Sequence, residues 1–117
     1  MRDQVAWVVD LAVKPGQLDN FRTLTGEMVE STLRESGVLN YDRFVSEDGA
    51  FVYAYERYAD SAAALAHLET FTRKFSGRFL SMVERRRFMV FGAPTQELRR
   101  VLDPLGAMYL RPLGLAT

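Results

Sequence analysis

The run of residues 51–58, Phe-Val-Tyr-Ala-Tyr-Glu-Arg-Tyr, narrows the fold more than any other stretch of the chain. Its aromatic and β-favouring residues read as a strand, and side chains alternate between the two faces of a strand. Val52, Ala54, Glu56 and Tyr58 therefore share one face, while Phe51, Tyr53, Tyr55 and Arg57 share the other. Both sets are largely apolar, so each needs a cover. The chain supplies one cover at once. Asp60 and Ser61 can accept hydrogen bonds from the free amides of a starting helix, and the alanine-rich residues 62–68 form helix strongly. This helix carries His67, the sole histidine, and must fold back over the strand.

The rest of the chain fits around that unit. Val5, Trp7, Val9, Leu11 and Val13 alternate with residues that are also mostly apolar, which places a first strand in the centre of a sheet. Pro15 suits the first turn of a helix carrying Leu18, Phe21, Leu24, Met28 and Leu33, and Gly37 suits a left-handed position ending it. Residues 38–46 read as a second strand, joined to the third by a Glu47-Asp48-Gly49 turn. A second helix is expected from Ser61 through Phe71, a short helix or turn over 75–82 and a fourth strand over 84–91. The order βαββαβ gives a ferredoxin-like α+β domain, an antiparallel sheet with helices on one face. Residues 1–92 make that domain. Residues 93–117 are an extension with a short helix over 97–102 and a possible strand over 107–111, expected to pack on the same domain or on a partner subunit.

The second apolar face of the sheet sets the quaternary expectation. Exposed apolar patches of more than a few hundred Å² usually mark an interface, and a homodimer is expected, sheet face to sheet face. Lys and Arg balance Asp and Glu at 15 each, which leaves no net field to hold nucleic acid or an anionic membrane. No segment approaches twenty consecutive apolar residues, and a cytoplasmic protein is expected. The absence of cysteine removes thiol nucleophiles, disulfides and thiolate metal sites. With one histidine and no clustered carboxylates, no dedicated zinc or iron site is expected.

The chemistry-bearing candidates are few. His67 shares a helix face with Ala63, Ala64, Leu68 and Phe71, so it points at the sheet near Ala54 and Glu56. It reads either as a base near neutral pH or as a core histidine bonded to a carbonyl or to Glu56. Glu56 reads as a proton acceptor with a pKa raised by burial, or as a hydrogen-bond anchor. Tyr58 and Trp7 read as the wall of an aromatic-substrate pocket or as plain core. Phe71, Phe75 and Phe79 either bound that pocket or fill it. Glu84-Arg85-Arg86-Arg87 has no glycine-rich loop beside it and reads as edge-strand charge rather than a phosphate grip, with Arg85 and Arg87 facing opposite to Arg86.

Glu56, an aromatic two residues on at Tyr58 and a histidine at 67 together resemble the centre of the antibiotic biosynthesis monooxygenase family. Lys14-Pro15-Gly16 at a strand-to-helix junction and Gly37 followed by Tyr41 extend the resemblance over residues 5–92. The resemblance implies a dimeric α+β barrel and oxidation of a quinol, phenol or anthrone-like substrate by O2 with neither metal nor flavin. Its implied catalytic residues are His67 and Tyr58, with Glu56 beside them, and its implied substrate contacts are Trp7, Val9, Ala54, Phe71 and Phe75. Haem-degrading relatives carry asparagine, tryptophan and histidine about where Val9, His67 and Gly77 stand here, so haem degradation is not expected. Two other uses of the same fold remain open: a non-catalytic module binding a small aromatic ligand, and a polyketide cyclase or isomerase.

Overall fold

The computed structural model describes residues 3–116. Four strands form the antiparallel heart of the sheet: β1 (Val5–Val13), β2 (Val38–Val45), β3 (Phe51–Tyr58) and β4 (Val83–Gly92). They lie in the order β2-β3-β1-β4, and β5 (Ala107–Leu110) adds in parallel to the outer side of β4. The sheet is thus mixed and open rather than wholly antiparallel. β1, apolar on both faces, takes its centre. α1 (Leu18–Thr32), α2 (Ser61–Lys74), α3 (Ser76–Met82) and α4 (Gln96–Leu102) complete the ferredoxin-like α+β fold.

Local chemistry explains most boundaries. Asp60 accepts from the Ala63 amide at 2.8 Å and starts α2, and Thr95 accepts from the Leu98 amide at 3.2 Å and starts α4. Ser61 has another role: its hydroxyl accepts from the Thr95 amide at 3.0 Å and ties the segment after β4 to α2. In the β2–β3 hairpin, Asp48 accepts from both the Ser46 hydroxyl and the Ala50 amide, and Gly49 takes φ +74°.

Three local expectations are corrected. Pro15 lies in a turn closed by the Gln17 amide on the Lys14 carbonyl, and α1 begins only at Leu18. Gly37 does not adopt a left-handed conformation; a Cβ there would lie 2.4 Å from that of Ala63, so its role is close approach of the loop to α2. Leu33 is exposed, because it stands about 140° around the helix from Met28 and leaves the buried stripe of Phe21, Leu24 and Met28.

On the helix-covered face Val5, Trp7, Val9 and Leu11 of β1 lie beside Tyr58, Glu56, Ala54 and Val52 of β3, and all are buried. Leu98 and Leu102 of α4 are fully buried in the same core. The opposite face carries Phe44, Tyr53, Phe91, Met108 and Leu110, all exposed. β4 corrects the reading of the arginine run in two ways. It is an interior strand between β1 and β5, and a bulge opposite Asp10 and Leu11 breaks its alternation. Asp10 pairs with Arg87 and Leu11 with Arg85, so Arg86 is the extra residue and Arg85 turns to the helix side.

Candidate functional site

Glu56 sits in the middle of the covered face, and four side chains converge on it. Trp7 Nε1 donates to its Oε1 at 3.0 Å, the Tyr58 hydroxyl donates to the same oxygen, and Arg43 Nη2 donates to Oε2 at 2.7 Å. His67 Nε2 stands 3.6 Å from Oε1. Burial alone would raise this carboxyl's pKa, but the charges of Arg43 and His67 and the bonds from Tyr58 and Arg43 outweigh it and hold it below the usual 4.5. Glu56 is therefore an ionised anchor whose oxygens are already taken. Burial, then the neighbouring Glu56, pushes the Tyr58 hydroxyl well above its usual range, so that phenol stays protonated.

Arg43 is the counter-charge. Its guanidinium lies 3.5 Å from the centre of the Tyr41 ring and its side chain is only 10 % exposed. Burial opposes its charge, yet Glu56, Tyr41 and Tyr58 together raise its pKa. One of its nitrogens, Nη1, is buried with no hydrogen-bond partner among the described residues.

His67 packs on this cluster from α2, its ring centroid 5.4 Å from that of Tyr58 and 5.1 Å from that of Tyr41. Nδ1 is 3.2 Å from Glu35, in the turn between α1 and β2. A proton on Nδ1 donated to Glu35 fixes the tautomer and leaves Nε2 as the nitrogen that can accept another, with Glu56 near enough to stabilise the cation formed.

Beside this cluster, between sheet and helices, lies a pocket of about 260 Å³. Trp7, Val9, Ala54 and Phe88 of the sheet and Phe71 and Phe79 of the helices give it apolar walls. His67, Glu56 and Arg43 form one polar side, Arg85 another, and Val101 and Leu105 close it from the segment after β4. A concave apolar space with a few convergent polar groups is what a small-molecule site requires. Tyr58 and Phe75 do not line it: Tyr58 is wholly buried behind Trp7 and Glu56, and Phe75 packs on the core as the cap of α2. A larger, shallow groove of about 830 Å³ between α2 and α4 contains none of the candidate residues.

The sequence pattern thus pointed to Trp7, Val9, Ala54, Glu56, His67 and Phe71, which the fold brings together, and passed over Glu35, Arg43 and Arg85. The hairpin register contained a signal for Arg43. With 46 opposite 51, Arg43 falls opposite Ala54 and Tyr41 opposite Glu56. No group of three or more potential ligand side chains that could hold a metal occurs among the described residues, and no described helix is long and apolar enough to cross a membrane.

A ferredoxin-like sheet whose helix layer encloses a pocket with a histidine and a buried carboxylate defines a small α+β domain with a candidate small-molecule site. The model of the antibiotic biosynthesis monooxygenase family matches residues 5–74, and the chain belongs to that family. Among solved structures, MupZ from Pseudomonas fluorescens superposes with a TM-score of 0.89 at 18 % identity, over 98 % of this chain and 94 % of that one. Rv0793 from Mycobacterium tuberculosis gives 0.69 at 22 % identity over 97 % and 99 % of the two chains. Protein SO0527 from Shewanella oneidensis gives 0.61 at 24 % identity over 77 % and 88 %. At these identities the likeness is one of fold. No curated protein matches the sequence.

Proposed function

We propose that this protein is a cofactor-independent monooxygenase that oxidises a small aromatic quinol, phenol or anthrone-like compound with O2 in the pocket between sheet and helices. The observation that carries this reading is His67, whose ring lines a largely apolar pocket with Nδ1 3.2 Å from Glu35, so that a proton on Nδ1 donated there leaves Nε2 to take another. Removal of a substrate proton by Nε2 leaves an electron-rich anion in a desolvated site, and that anion reduces O2. For an activated methylene the balance is CH2 plus O2 giving C=O plus H2O: one oxygen atom enters the product, the other leaves as water, and the substrate supplies all four electrons. Glu56 and Tyr58 serve in this scheme as the frame that positions Trp7 and Arg43 and stabilises protonated His67. Residues 93–117 act as an extension of the domain over residues 1–92, closing the pocket with Val101 and Leu105. The protein works as a homodimer joined through the open sheet face, where the exposed aromatics lie.

The test is oxygen uptake with anthrones, naphthoquinols and hydroquinones, each measured against its own autoxidation. Uptake above that background which falls by about 10²-fold or more in His67→Gln supports the reading. A ligand-binding role without turnover is favoured by one feature, the complete internal use of the Glu56 oxygens; saturable binding with no oxygen uptake would establish it instead. Turnover without oxygen uptake would identify an isomerase or cyclase.

A further inference from the structure

The pocket holds a charge that its own walls leave uncompensated. On the β2 side, Arg43 is balanced by Glu56, and its Nη1 is buried away from the cavity. On the β4 side, Arg85 lines the same pocket with no ion pair or hydrogen bond among the described residues. The two strands are separated by β3 and β1, three inter-strand steps or roughly 14 Å of backbone, so Arg43 and Arg85 enter the lining of the cavity from opposite sides of the sheet's centre. Arg85 reaches the pocket only because of the bulge in β4. With regular alternation from the inward-facing Phe88, position 86 would point inward and position 85 outward. A bulge that re-aims one side chain next to a cavity is a recurrent feature of functional sites.

We propose that Arg85 binds a carboxylate of the substrate, so that the pocket selects aromatic acids over their neutral analogues, with the reacting part of the ring at the far side against His67. This rests on the oxidation reading above for the role of the far side, but not for the binding of the acid. A partly buried guanidinium without a counter-ion is unfavourable, and burial already lowers the Arg85 pKa. Its planar fork matches a carboxylate with two parallel hydrogen bonds. The Arg43 charge is satisfied by Glu56, so Arg85 is the cation of this pocket left for an anion.

Trp7, the only tryptophan, lines the pocket and reports occupancy by fluorescence. The full-length protein is titrated without oxygen with matched acid and carboxamide pairs: 1,4-dihydroxy-2-naphthoate, 2-naphthoate and anthracene-2-carboxylate against their amides. The acids are expected to bind at least about tenfold more tightly than the amides, the factor associated with a hydrogen-bonded charge pair. Arg85→Met should erase that preference while amide affinity holds, and Arg86→Met, which removes the same charge from the neighbouring exposed residue, should preserve it. Equal affinity for acid and amide in the unaltered protein, or an acid preference that survives Arg85→Met or vanishes equally in Arg86→Met, overturns the proposal and leaves the pocket reading standing. No binding by any member of the series, with the protein folded, overturns both.

Discussion

The two faces of the sheet are made by the same strands and solve the burial of charge in opposite ways. On the covered face Glu56, although only 6 % exposed, is bonded to Trp7, Tyr58 and Arg43, and each partner is itself packed under a helix. On the open face Asp10 is equally buried at 6 %, in the central strand, yet its Oδ1 has no partner among the described residues. Its cross-strand neighbours are Tyr53 on β3, itself opposite Phe44, and Arg87 on β4, which forms no ion pair with it; Tyr53, Phe44 and Arg87 are all exposed. A buried carboxylate is stable when its neighbours answer it, and the covered face answers Glu56 while the open face leaves one oxygen of Asp10 unpaired. The contrast teaches where this chain completes a site alone and where it presents a surface.

The sharpest way to break the comparison is to remove the anchor. Glu56→Ala strands Arg43 as a buried unpaired charge and should lower stability by ~3–5 kcal/mol in urea unfolding, whereas Asp10→Asn on the other face should change it far less. Since the folded-state pKa of Glu56 lies below its usual 4.5, its contribution is present above that pH and is lost as pH falls through the folded value. The urea midpoint should therefore drop below pH 4.5, and more steeply than in Glu56→Gln. On the open face, the homodimer proposed above predicts that Phe44→Asp with Tyr53→Asp weakens self-association by about 100-fold in sedimentation equilibrium, with unfolding of the separated chain little altered. A third contrast is between glycines. Gly37→Ala meets Ala63 at the edge of the covered layer and should cost ~1–3 kcal/mol, while Gly26→Ala, on the exposed side of α1 with nothing within 4 Å, should stabilise by ~0.5–1 kcal/mol.

The covered face was the more legible of the two. Period-two alternation in Val5–Val13 and Phe51–Tyr58, with Asp60 as a helix start, sufficed to place Trp7, Glu56 and His67 on one side of the sheet. The antiparallel pairing of the first four strands followed from short connections and right-handed crossovers, while the parallel addition of β5 outside β4 did not. Glu35 was hidden because it lies after the last periodic turn of α1, in a turn whose direction the pattern does not specify. Arg85 was hidden because a bulge depends on the register of two strands distant in the chain, and a one-residue slip reverses which face every following side chain meets. Gly37 was assigned to a left-handed turn because glycine serves both positive φ and close approach, and only packing tells these apart.

The amino-acid order by itself determined the elements and their faces: apolar periods, capping residues and turn chemistry act over a few residues and need no distant partner. Whether Glu56 is a base or an anchor was decided only by tertiary structure. The answer depends on Arg43, Trp7, Tyr58 and His67 arriving from three strands and a helix, and the electrostatics of a buried carboxylate are set by what stands within a few ångströms of it.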